Sequence, residues 1–286
     1  MSRSSHNRDA GRLPGRGLRA DRRRWLAVIC SLCFLTRLGV AQQEQAAAAD
    51  NESADSSKLL SINRQAELQA EQNLQSTPVP QPDAPEQVSA WSRRGDALMN
   101  LGRFKEAEEA YRQMVVADPD LDASHWRLGI ACYFSGNYAA GAAQFDKYHS
   151  FDNVDRENGI WRYFCHYRAT GPEAARRQLL KYEKDDRPPF REVYALFEGR
   201  LSGADVMAAA EGGGAEGREQ RQFYSWLYVG LNAALQGKRT EAIAALQQAT
   251  ESAWPQRAGY GPNYMWHVGR LELNRQLKLQ KEPPQP

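Results

Sequence analysis

Residues 88–121 read VSAWSRRGDALMNLGRFKEAEEAYRQMVVADPDL, and residues 122–155 read DASHWRLGIACYFSGNYAAGAAQFDKYHSFDNVD. The second stretch repeats the first at a fixed distance. Gly95 and Gly102 return 34 residues later as Gly129 and Gly136, and Tyr111 returns as Phe145. Trp91, Leu98, Phe104, Ala107 and Pro119 are answered by His125, Cys132, Tyr138, Gly141 and Asn153. Each copy has the length of two short helices. Small residues at Gly95 and Ala107 let those helices approach, while Trp91, Leu98, Phe104 and Tyr111 fill the space around the contact. Gly102 ends the first helix, because a left-handed residue costs glycine little. Asp118-Pro119 stops the second, because proline disfavours helix in the residue before it.

A period of this length, built as two helices, resembles the tetratricopeptide repeat (TPR). It predicts an all-α, right-handed α-solenoid of TPR helix pairs with a C-terminal capping helix. Further units follow. Trp161 lies 35 residues after Trp126, Thr170-Gly171-Pro172 supplies a turn, and Ala174, Ala175, Leu179 and Leu180 mark a second helix. Residues 185–222 break the period: 190–201 and 206–210 read as a worn helix pair, closed by the glycine loop at Gly212, Gly213 and Gly214. The pattern returns at Trp226, Gly230, Gly237 and Ala242. A final helix over 263–280 is expected to cover the last repeat, with Arg270, Arg275 and Lys278 facing water.

The formal net charge of +2 conceals a split. Nine arginines against Asp9 and Asp21 give residues 1–41 a charge of +7, and the 28 basic and 33 acidic residues that remain give −5. The body has no Lys/Arg patch interleaved with aromatics, so no nucleic-acid partner is expected. Arg22-Arg23-Arg24, an apolar run from Trp25 to Leu35 and then Gly39-Val40-Ala41 read as an export signal over 1–41, cleaved after Ala41. The run is too short for about 30 Å of hydrocarbon, which needs about 20 residues. A twin-arginine signal, an organelle transit peptide and an uncleaved anchor are the alternatives. A lipid anchor is not expected, because Ile29 precedes Cys30 and Leu32 precedes Cys33 where a small residue belongs. The expected location is the periplasm or cell envelope. Residues 42–87 are low in complexity and are expected to form a disordered linker. The loose helical spacing of Leu59, Leu60, Ile62, Ala66, Leu68 and Leu74 leaves two readings there, a transient helix or an arm that docks on the repeats or on a second copy. The repeat domain is expected over 88–280 and a disordered tail over 281–286.

Two good repeats, a degenerate third, an irregular helix pair and a strong last repeat, in that order, resemble the bacterial NlpI-type lipoproteins. The likeness includes Tyr194-Ala195-Leu196-Phe197-Glu198-Gly199-Arg200-Leu201, residues 230–246 and residues 264–273. The resemblance implies a periplasmic homodimeric adaptor that presents a tail-specific protease and cell-wall hydrolases to each other. The leader departs from the family in lacking a convincing lipid-attachment cysteine.

Tetratricopeptide arrays line a concave groove with fixed positions of each first helix, which in repeat two are Ala123, Trp126, Ile130, Tyr133 and Phe134. Trp161 continues the set into the third unit. One reading is a groove for an apolar peptide or helix, since aromatic anchors dominate interface energetics. The other is burial of the same side chains in the core or under the N-terminal arm. Repeat one offers Ser89, Ser92, Asp96, Met99 and Asn100, a polar end without the residues that clamp a carboxylate in cytosolic chaperone-binding arrays. His6, His125, His149, His166 and His267 show no metal-ligand spacing, and Cys165 and His166 are helix neighbours that face different directions. No Gly-x-Ser-x-Gly and no phosphate-cradling loop occur. No catalytic, cofactor or metal site and no small-molecule substrate are therefore expected. Cys132 and Cys165 read as buried thiols, because neighbouring helix axes lie about 8–10 Å apart and a disulfide needs Cα atoms within about 7 Å. A non-catalytic protein-binding adaptor is the expected function. A structural assembly factor acting through its own dimerisation comes second, and a hydrolase third.

Overall fold

The computed structural model describes residues 58–81, 84–184 and 186–282. The export signal at 1–41, the start of the linker at 42–57 and residues 283–286 of the tail lie outside the described residues. The chain divides into two units between Ile62 and Asn63. Of the first, only residues 58–62 are described, and they are helical. The second opens with helical residues 63–75 (α1), inside the stretch read as linker.

Helices α2 (Gln87–Asn100) and α3 (Phe104–Ala117) form the first pair, and α4 (Trp126–Ser135) and α5 (Tyr138–Phe151) the second. Each pair packs internally and on the next, the arrangement of an all-α solenoid. Among the described residues there is no strand. The Asp118-Pro119 stop acts as the sequence predicts: α3 ends at Ala117, and Asp118 turns extended and accepts the Asp120 N–H at 3.2 Å.

The repeated glycines have two distinct jobs. Gly102 and Gly136 take φ values of 72° and 88°, and each is followed by an N–H that reaches back five residues, Arg103 to Leu98 and Asn137 to Cys132. Gly95 and Gly129 work by what they lack. A Cβ on Gly95 would lie 2.4 Å from the Tyr111 ring, and one on Gly129 would lie 2.6 Å from the Phe145 ring. The residue sixteen places on, more than Ala107, is what the glycine admits. Gly141 stands where repeat one has Ala107, and a Cβ there would meet Cys165 Sγ from the next unit at 2.7 Å.

The third unit departs from the plan. Helix α6 (Arg156–Thr170) is regular, but α7 (Pro172–Arg177) stops early, so Leu179 and Leu180 are not helical. The non-helical chain after α7 does the packing instead. Tyr182 stands against Gly159, where a Cβ would lie 2.4 Å from its hydroxyl, and donates to the Asp155 carbonyl at 3.1 Å. The worn pair is α8 (Phe190–Phe197) and α9 (Gly203–Gly212), shorter and longer respectively than the sequence pattern suggested. Gly199 (φ 77°) closes α8 with the same five-residue return, Arg200 to Ala195. Helices α10 (Arg218–Leu235) and α11 (Arg239–Glu251) restore the pattern, with Gly230 against Leu246 and Gly237 at the turn. A one-turn helix, α12 (Trp254–Arg257), leads into α13 (Tyr260–Lys281).

Helix α13 covers α11, as an end cap should, but it also reaches α2. Arg275 and Lys278 are exposed, whereas Arg270, expected in water, is only 2 % exposed. The reason is polar: its guanidinium donates to Asn63 Oδ1 on α1 and to the Asn100 carbonyl at the end of α2, each at 2.5 Å. Asn274 donates to the same Asn63 oxygen. Helix α1 is thus docked on α13, with Ala66 and Ala70 buried.

Candidate functional site

The first helices α2, α4, α6 and α10 present the face that an array offers to ligands, and α13 runs along part of it. At the first repeat that face is closed from within. Asp96 accepts from Arg127 (2.8 Å), Tyr111 (2.6 Å) and Tyr260 (2.7 Å), and Arg127 also donates to Ser92 and to the Tyr260 hydroxyl. Met99 is fully buried. The polar groove positions of repeat one therefore hold the start of α13 in place.

Further along lies a cavity of about 350 Å³. Helix α4 supplies Trp126 and Ile130; α6 supplies Glu157, Asn158 and Trp161, with Asp155 at its cap; α10 supplies Gln220 and Tyr224; Trp254 and Met265 also line it. Arg187 enters from the chain between α7 and α8. Its size falls within the usual range for ligand pockets, about 300–1,000 Å³. Trp126 packs edge-on against Tyr264 of α13, with ring centroids 5.0 Å apart.

The polar wall is a connected network. Asp155 caps α6 by accepting the Glu157 N–H at 3.0 Å, which fixes both carboxyl groups at one helix end. Asp155 also accepts from Asn158 at 2.6 Å and from Arg187 at 3.3 Å. Glu157 pairs with Arg187 and accepts from the Tyr228 hydroxyl at 2.5 Å, which in turn accepts from Trp161 Nε1 at 3.1 Å. Burial pushes the Glu157 carboxyl up to about 7; the Asp155 charge adds to this, and Arg187 and the Tyr228 hydrogen bond oppose it. Burial also raises Asp155, against Arg187.

Of the five residues read as a groove, the cavity brings together Trp126, Ile130 and Trp161. Ile130 and Trp161 are each 1 % exposed, so they form its floor and not an open surface. Tyr133 and Phe134 do not line it. They turn into an aromatic cluster, Phe134 stacking on Phe104 at 5.0 Å and Tyr133 meeting Trp161 at 5.5 Å. The scaffold positions Tyr111, Ala107, Phe145 and Ala242 are fully buried, and Trp91 and Trp226 are half-buried. The sequence reading assigns no site role to Asp155, Glu157, Arg187, Tyr224 or Trp254. The two carboxylates two residues apart at a helix start were the one local signal; Arg187 had none.

Cys132 and Cys165 are free and buried. Burial pushes the Cys132 thiol up to about 12 and raises Cys165 further. Burial also drives His125 and His267 down to about 3. Among the described residues, no three His, Cys, Asp or Glu side chains are placed to hold a metal ion. None of their helices is long and apolar enough to cross a membrane.

The family model described as Tetratricopeptide repeat matches residues 88–121. The chain carries a tetratricopeptide repeat. Such repeats mediate protein–protein interaction and are typically non-catalytic, which makes proteins the partner class for this array.

Proposed function

We propose that the chain is a non-catalytic adaptor of the cell envelope whose cavity, lined by Trp126 and Trp161, seats a segment of a protein partner. The observation that carries the reading is the lining of that cavity. It is built from the first helices α4, α6 and α10, whose face such arrays offer to peptides, and it combines aromatic walls with a few fixed polar groups. Envelope location rests on the leader at 1–41 alone. The likeness to NlpI-type lipoproteins suggests a protease or a cell-wall hydrolase as partner, and a homodimer as the working form.

The test is crosslinking in the native host followed by identification of the attached proteins, with wild-type chain and a Trp126→Ala/Tyr224→Ala variant side by side. The variant should lose the partners that the wild type captures while keeping its helical circular dichroism. Identical capture by both would place the partner surface elsewhere.

A further inference from the structure

The cavity is short of positive charge. Among the described residues, the charged lining is Asp155, Glu157 and Arg187, and Asp186 stands behind them, 3.2 Å from the same guanidinium. Arg187 pairs with all three carboxylates, and its guanidinium carbon also lies 4.3 Å from the Phe190 ring centroid. Arg187 is thus shared among three carboxylates and an aromatic face. The remaining walls include Trp126, Trp161, Tyr224 and Trp254, and indole and phenol faces attract cations by about 0.5–2 kcal/mol, more as water is excluded. An apolar or acidic ligand entering this space would strip water from the carboxylates without replacing it, whereas a second cation would compensate them.

We propose that the cavity takes a lysine or arginine side chain presented by a protein partner. This names the ligand chemistry of the adaptor pocket above and rests on that reading. A volume of about 350 Å³ suits one long side chain, at the small end of ligand pockets, about 300–1,000 Å³. The raised Glu157 carboxyl has the same origin, since burial, Asp155 and Asp186 all disfavour its charge, and Arg187 opposes them.

The full chain is titrated with four blocked tripeptides that differ only in the central residue: lysine, arginine, norleucine or glutamate. Tryptophan fluorescence is the readout, because three indoles line the site. The lysine and arginine peptides should bind about tenfold more tightly than the norleucine peptide, the gain expected of a charge-assisted contact, and the glutamate peptide should not bind. Glu157→Gln should remove most of that preference, with the melting midpoint recorded to show that the variant is folded. If Glu157→Gln does not fold, the ranking on the wild-type chain decides alone. Equal binding of norleucine and lysine peptides, tighter binding of the glutamate peptide or of a neutral disaccharide, or no binding by any peptide overturns the inference. A crosslinked partner that still depends on Trp126 would then keep the adaptor reading alive; loss of that dependence would sink the reading itself.

Discussion

Gly129→Ala sets two well-known effects against each other. Alanine is the better helix former by about 0.5–1 kcal/mol, so an exposed mid-helix glycine would be improved by the change. Here the new methyl would stand 2.6 Å from Phe145 Cζ and 2.7 Å from Cε2. Phe145 is completely buried, so its ring cannot swing out to make room. Forcing an extra carbon into a packed core costs about 1–3 kcal/mol. The steric cost therefore wins, and the net loss should be about 1–2 kcal/mol. Urea unfolding followed by circular dichroism measures it, and a cycle with Phe145→Leu isolates the cause. The double variant should be less destabilised than the sum of the singles by about 1 kcal/mol, because the smaller side chain vacates part of the contested space. Gly95→Ala should behave alike, with the added loss of the Tyr111 hydrogen bond to Asp96. A Gly129→Ala chain that is more stable than wild type would refute the argument outright.

Arg270→Met removes the donor to Asn63 and to the Asn100 carbonyl and should cost about 2–3 kcal/mol, as charged hydrogen bonds do; hydrogen exchange should quicken across residues 63–75, and unchanged exchange there would show that α1 docks without it. With burial holding the Cys132 thiol near 12 and Cys165 higher, neither should react with a thiol reagent at mildly alkaline pH until the chain unfolds, which mass mapping of labelled peptides can check. Glu157 is raised from an ordinary 4.5 to about 7, so the folded chain holds its proton more tightly than the unfolded one. Its contribution to stability is therefore greatest below about 4.5, falls as pH rises to about 7 and is constant above, a span of up to roughly 3 kcal/mol. Glu157→Gln should gain on wild type across that window, and a difference that does not change with pH would remove the buried-carboxylate account.

The scaffold was legible because it is written in sterically forced residues. A turn that needs φ near +70° to +90° selects glycine, so Gly102, Gly136 and Gly237 show the period even where the surrounding side chains have drifted. The same turn at Gly199 identifies α8 and α9 as a true helix pair, although their apolar spacing is irregular. What the glycines admit was less legible: Ala107 is adjacent in the pattern, yet Tyr111 occupies the space. Leu179 and Leu180 carry helical spacing but lie outside α7, because Tyr182 and Tyr194 anchor that segment through the Asp155 and Leu180 carbonyls. Arg270 resembled any surface arginine, since its partners lie 170 and 207 residues away in sequence. The groove was half legible for the same reason. A position on a first helix says which face a side chain takes, not whether α13 or a neighbouring aromatic will cover it.

The cavity exists because the array is imperfect. A complete third repeat would place a second helix after Gly171, and in the frame set by Trp126 and Trp161, 35 residues apart, its large residue would fall at Leu180. Instead α7 ends after six residues, Leu180 is not helical, and Tyr182 stands against Gly159 from a non-helical segment. That segment continues to Asp186 and Arg187, which it delivers to the start of α6, where Asp155 and Glu157 are already fixed by the helix cap. A regular helix in its place would have continued past this point along the outer layer, as α3 and α5 do. The break therefore supplies Arg187 to the polar wall, and the intact repeats on either side supply the aromatic walls, Trp126 from α4 and Tyr224 from α10. At the other end, the polar positions of repeat one are spent on Tyr260 and the start of α13. The periodic residues build the frame, and the cavity proposed for recognition lies where the period fails.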